Sequence, residues 1–396
     1  VTAAPNLARR GACPSLDQPM VTGDGLLVRL TLATRALSPA QWTALTTAAA
    51  THGNGRMEIS RRGNLQLRGL TADRMAGLAT AIAAAKIALA AAPPIEIHPL
   101  TGRIPGAVAD PRPLAAALRA AVDAATWGNA LPAKTSVVID GGGAWTLAGL
   151  GADCRLTALD GAAWRLTCGA HDFGPFDAAR AAAATLKVLA TLAAGRCRAR
   201  DLPASAAAFA DLPRLAPAPA QTTGDLIGVH RLADGDTLLA TQLPFGGAMA
   251  ANLARFGRAA AKAGANALHP APGKTLLVTG LTPASASRLR TTAEACDLIT
   301  AADDRRRWVV TCAGQPACGQ AHLDTVEIAR RLIANLDPAD AFGGTVHISG
   351  CAKGCARPPA PAAEIIGTTA GPQIIAAAGL APDLRAHLTV AAEEDR

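Results

Sequence analysis

Apolar and polar positions fall into two stretches that nearly repeat. The first opens on Gly23 to Val28, continues through an apolar-periodic segment, and reaches Met57 to Thr71 before another helical segment. The second opens on Gly235 to Ala240, continues the same way, and reaches Leu268 to Thr282 before its own closing helix. Both read as strand, helix, strand, helix. Asn64 to Arg68 alternates apolar and polar residues, the period of a half-buried strand. Ser38-Pro39 and Thr282-Pro283 each supply a helix cap followed by proline at the first helical position, and Thr71 reads as a further cap. A second pair of blocks follows: Lys134 to Gly141 matches Gly343 to Gly350, each a β-branched strand ending in a glycine turn. The Pro- and Ala-rich stretch 198–221 divides the halves. The expected order is A (1–97), B (98–197), linker (198–221), A′ (222–302), B′ (303–396), an α+β chain with A beside A′ and a cleft at their pseudo-twofold junction.

Composition narrows this picture little. The 396 residues are half hydrophobic and 17% charged, which suits a globular chain with several cores. There is no Tyr, so tyrosine is excluded as acid, radical site or metal ligand. The net charge of +8 comes without a Lys/Arg block or interleaved aromatics. That disfavours nucleic acid and favours an anionic small molecule. Val1 to Arg10 lacks the apolar segment of a secretory leader, and Ala76 to Ile95, interrupted by Lys86, reads as an Ala-rich helix and not a membrane span. The expectation is a cytoplasmic protein.

The nine cysteines are unevenly placed. Cys312 and Cys318 form one pair, and Cys351 and Cys355 another. Four thiolates can hold a 4Fe–4S cluster. The spacing of Cys351 and Cys355 puts both on one face of a helical turn. Gly319, Gly350 and Gly354 would admit backbone amides to the sulfurs. Zinc remains an alternative, although five intervening residues are unusual for its ligand pairs. So do four unligated thiols. Cys13, Cys154, Cys168, Cys197 and Cys296 are isolated, and most of them read as small buried apolar residues.

The two cysteine pairs resemble the cluster motif of the sulfite and nitrite reductases. Ser60 to Gly69 resembles that superfamily's arginine-bearing strand, in which the position of Arg62 faces the tetrapyrrole. Leu131-Pro132-Ala133-Lys134 is similar to the segment whose lysine lines the active site. The match runs through nearly the whole chain, and it implies ferredoxin-like halves. It also departs from the reductases. Ser136 stands where they have a second lysine, and 91–102 has no basic residue but His98. Reduction of a small anion needs several cations around it. Within the superfamily, Arg10 to Leu16, Met20 to Leu30, His52 to Gly55 and His347 to Pro358 resemble the precorrin-3B synthases.

That resemblance implies precorrin-3A and O2 as substrates, a 4Fe–4S cluster on Cys312, Cys318, Cys351 and Cys355, and a non-haem iron with ligands that the sequence does not reveal. It implies hydroxylation with lactone closure, and no sirohaem. A precorrin is rich in carboxylates, which Arg and Lys recognise. The candidate binding residues are Arg29, Arg61, Arg62, Asn64, Gln66, Arg68, Lys134 and Lys274, with Arg62 and Lys134 nearest the chemistry. Alternation places Arg62, Asn64, Gln66 and Arg68 on one strand face. Pro272 to Thr275 imitates a phosphate loop but has Leu268 where glycine is required. Asp140 to Gly143 lacks a dinucleotide fingerprint, so electrons from NAD(P)H are expected through a separate reductase. The rivals are a sirohaem-dependent reductase and a non-catalytic tetrapyrrole or cluster carrier.

Overall fold

A computed structural model describes residues 7, 13–90, 94–217, 223–336, 344–358, 360–376 and 382–393. The start of the Arg10–Leu16 motif, part of 91–102 and Gly343 lie outside them. The described residues form four sheets. In the first, Met20–Thr22, Gly25–Leu30, Leu65–Leu70 and Arg56–Ile59 are neighbours in that order. In another, Gly228–Arg231, Thr237–Gln242, Thr275–Leu281 and Ala267–Ala271 repeat the same order. Both carry a bulge at the same place: the register slips between Leu26 and Val28 and between Thr237 and Leu239. Gly69 and Gly280, with φ of 64° and 85°, supply the left-handed residue each bulge needs. Each packs on an asparagine, Asn54 or Asn266.

The two halves share one core. Val28, Trp42, Met57 and Leu67 of the first lie in the same buried cluster as Leu239, Phe256, Val278 and Leu289 of the second. Helix Pro39–His52 starts where Ser38 accepts from the Gln41 amide at 3.2 Å while Gln41 reaches back to Ser38. It packs on helix Ala250–Lys262, and Trp42 Nε1 donates to the Leu253 carbonyl at 3.0 Å. Strand Gly247–Met249 leaves the second half to pair with Arg56–Ile59 at the edge of the first sheet.

The remaining sheets also match each other. Ile95–Glu96, Val137–Asp140 and Cys154–Ala158 run parallel and are followed by antiparallel Trp164–Cys168. Val309–Thr311, Val346–Ser349 and Ala363–Thr368 are likewise parallel, with antiparallel Gly371–Ala376. Junctions differ in chemistry. The second half's outer face, with Leu238, Ala240 and Leu277, packs dryly against Leu100, Ile104 and Trp145. The first half's outer face is polar and meets the cysteine loop.

Several expectations change. Stretch 198–217 is no free linker, since Ala199, Ala208 and Phe209 sit in the core beneath the Ile95–Phe176 sheet. Strand Ile95–Glu96 already belongs to that sheet, so the first boundary falls before residue 98. Thr71 makes no side-chain cap; a short 3-10 turn intervenes and the helix starts at Met75. That helix ends at Ala84, so the apolar run to Ile95 is only half helical. Among the described residues one helix, Ala178–Gly195, is long and apolar enough to cross a membrane, and it buries Val188, Leu189 and Leu192 in the core.

Candidate functional site

The two cysteine pairs leave the ends of neighbouring parallel strands. Cys312 follows Val309–Thr311, and Cys351 follows Val346–Ser349 at the same level of the sheet. The carboxyl ends of parallel strands are where such sheets collect ligands. The Gly350 amide donates to Cys312 Sγ at 3.2 Å. A side chain at Gly350 would strike Ala321, its Cβ falling 2.6 Å from that residue's Cβ. Gly314, at φ 62°, turns the loop so that the Cys318 amide bonds the Gly314 carbonyl at 2.7 Å. Cys351 and Cys355 lie in a pair of turns and not on a helix, because Gly354 takes φ 59° between them.

The four thiols share one electrostatic environment. Burial pushes the Cys355 thiol up, Lys353 opposes the rise, and Cys312, Cys351 and Cys318 add to it. A tetrahedral zinc ion would draw its ligand sulfurs to about 2.3 Å from one point. Among the described residues no three Cys, His, Asp or Glu side chains converge on such a point. Four cysteine thiolates are also the donor set of an iron–sulfur cluster.

The polar face of the first sheet lies against the Cys312–Cys318 loop. Gly23 donates to the Ala317 carbonyl at 3.2 Å, and its Cα leaves no room for a side chain against Pro316. Arg68 is 3% exposed, grips Asp24 at 3.0 and 3.1 Å, approaches Glu58 at 3.6 Å and donates to the Ala317 carbonyl. Burial works against its charge, but Glu58, Asp24 and Cys318 hold its pKa above the ordinary value. Arg29 stands opposite Gln66 and donates to its Oε1 at 2.8 and 3.1 Å. Gln66 passes a hydrogen bond to Glu58 at 2.7 Å.

Lys274 enters from the second half in a tight turn at φ 66° and lies over Gly246. Burial lowers its pKa, Glu58 and Cys312 raise it, and Arg61 lowers it. Its ammonium is thus within electrostatic reach of both Glu58 on the polar face and Cys312. Among the described residues it has no hydrogen-bond or ion-pair partner.

Other predicted residues lie apart. Arg62 precedes the strand in a turn, bends away at Gly63 and reaches Glu96 at 3.0 Å, Ser136 at 3.2 Å and the Gly151 carbonyl. It does not share the contacts of Gln66 and Arg68, because alternation stops where the chain leaves the sheet. Arg61 is exposed and donates to Gly149. Asn64 is buried, and its Oδ1 has no partner among the described residues. Lys134 is exposed at φ 75°. Sequence reasoning passed over Asp24, Glu58 and Glu96, whose pairing with these arginines crosses between distant segments.

Known proteins carry the same architecture and sequence. Residues 18–85 match the model of the nitrite/sulfite reductase ferredoxin-like half domain. The solved Mycobacterium tuberculosis NirA protein superposes with a TM-score of 0.71, covering 90% of this chain and 75% of its own at 18% identity. A curated Precorrin-3B synthase from Sinorhizobium sp. is 40% identical over 375 residues, 92% of this chain and 82% of the relative. The chain belongs to the precorrin-3B synthase family. As a precorrin-3B synthase family member it is an oxidoreductase with the sulfite/nitrite reductase-like fold, and the shared architecture points to iron–sulfur or sirohaem-type cofactor binding.

Proposed function

We propose that this chain catalyses the O2-dependent hydroxylation and lactone closure that turn precorrin-3A into precorrin-3B in cobalamin biosynthesis. The observation that carries this is the 40% identity to a precorrin-3B synthase along 92% of the chain. The cysteine quartet and its cationic cover support it. Cys312, Cys318, Cys351 and Cys355 would hold a 4Fe–4S cluster. When bound, that cluster with a non-haem iron supplies single electrons and O2 activation. The chain's own residues do the rest. Arg29 and Lys274 place positive charge on the cysteine side of the cleft, where a carboxylate-rich macrocycle is held by charge-assisted hydrogen bonds, while Arg68, neutralised by Asp24 and Glu58, clasps the cysteine loop. Lys274 has a free ammonium for a substrate carboxylate. A soluble setting and electrons from NAD(P)H through a separate reductase belong to the same reading.

Arg62 distinguishes this reading from sulfite or nitrite reduction. Its charge is already met by the buried Glu96 at 3.0 Å, and Ser136 contributes only a hydroxyl beside it. A cation so neutralised gives a small anion little stabilisation. The test is anaerobic purification, iron and sulfide analysis, then mass analysis of precorrin-3A after O2 and a reductant. The expected outcome is iron with labile sulfide, no haem band, and product heavier by one oxygen atom. Zinc in place of iron and sulfide, or unchanged precorrin-3A, would sink the proposal.

A further inference from the structure

A cavity of about 550 Å³ opens between the first half and the lobe of the Ile95–Phe176 sheet. Its walls come from Thr31–Arg35, the segment around His98 and helix Arg112–Ala124. Three arginines line it, and Arg112 is already paired with Asp110 at 2.6 Å, which leaves Arg35 and Arg119. Arg35, held at φ 53°, donates to the Arg62 carbonyl at 2.9 Å. Arg119 donates to the Ile95 carbonyl at 2.8 Å and forms no ion pair among the described residues. Glu96 is the nearest carboxylate to Arg35, at 4.0 Å, and Arg62 already holds it at 3.0 Å. Burial lowers the pKa of Arg35 and of Arg119, and Arg119 and Arg62 press that of Arg35 down further; Glu96 and Asp123 offset only part of this. Arg35 and Arg62 therefore draw on one buried glutamate, and Arg119 feels Asp123 without forming an ion pair with it. Arg35 is the desolvated cation of the two and shares its glutamate with Arg62, so it wants a counter-ion; Arg119 is exposed at the rim.

We infer that this cavity is a carboxylate-binding subsite, with Arg35 and Arg119 as the fork, and that it takes one acid arm of the tetrapyrrole. The last clause rests on the function proposed above. Arg35 touches the backbone of Arg62, which ties the subsite to the cleft and lets one bound arm fix the macrocycle's orientation.

The test uses full-length holoprotein prepared anaerobically. Uroporphyrin I, a stable octacarboxylate, is titrated into wild type, Arg35→Gln, Arg119→Gln, Arg119→Lys and the surface control Arg290→Gln, each checked for fold by circular dichroism. Glutarate is titrated separately and as a competitor. The expected result is at least tenfold weaker uroporphyrin binding in Arg35→Gln and Arg119→Gln, partial recovery in Arg119→Lys, under twofold change in Arg290→Gln, and competition by glutarate. Equal affinity in wild type, Arg35→Gln and Arg119→Gln overturns the subsite and leaves the proposed reaction standing. Glutarate bound through Arg119 by a protein that does not bind uroporphyrin supports the subsite and overturns the tetrapyrrole reading.

Discussion

Gly350 meets two demands with one missing side chain: its amide reaches Cys312 Sγ at 3.2 Å, and its Cα lies where a Cβ would stand 2.6 Å from Ala321. Gly350→Ala is expected to displace the loop and lower iron and sulfide per chain by at least half, measured on anaerobically purified protein against wild type. A separate effect belongs to His98 and His269. Burial holds each pKa at about 4, down from 6.5; for His98 the charge of His269 adds to it. The unfolded chain therefore binds protons between pH 6.5 and 4 that the folded chain refuses. Stability is full above pH 6.5 and falls as pH drops towards 4, by up to about 3 kcal/mol per histidine. Urea midpoints at pH 7.5 and 5 should diverge in wild type and diverge less in His98→Gln, which keeps the share of His269.

Packing of whole elements sets the next scale. Helices Pro39–His52 and Ala250–Lys262 approach because Gly257 leaves space for Trp42; a Cβ there would lie 2.3 Å from Trp42 Cδ1. Gly257→Ala should gain about 1 kcal/mol of helix propensity and lose about 1–3 kcal/mol to overpacking. Net destabilisation in urea unfolding is the expected sign. Much at this scale was legible in the sequence. Ser38-Pro39 and Thr282-Pro283 marked true helix starts, and the repeated Gly-Leu-Thr at 69–71 and 280–282 coincides with the repeated bulge. What was not legible depends on contacts between segments far apart in the chain. Period-2 alternation assigned Arg62 to the face of Arg68, yet it holds only within Leu65–Leu70; beyond Gly63 the partner Glu96 decides the direction. Thr71 has the residue type of a cap, but its side chain caps no backbone amide and a 3-10 turn follows it. Arg35 and Arg119 gave no signal, since each is a lone basic residue until the fold brings them to one cavity.

At the scale of the molecule, the ferredoxin-like halves cannot be separated cleanly. Their interior is one cluster, and Gly247–Met249 completes the sheet begun at Met20. A fragment of residues 13–90 would expose Val28, Trp42 and Leu67 to water, each forfeiting about 1.5–3 kcal/mol. It is expected to show no cooperative thermal transition, whereas the full chain does, with calorimetry as the check. The two outer junctions have parted in character, one dry around Trp145 and the other polar around Arg68, so only one of two equivalent places is chemically equipped.

Arg68 and Gly23, which clasp the Ala317 carbonyl, come early in the chain, whereas the thiols beneath them come late. During synthesis from the amino end the lid therefore exists before anything it must cover. Under the function proposed above, iron and sulfide would have to be delivered while that clasp is still open, which would make the docking of the last lobe the checkpoint between an empty and a filled enzyme.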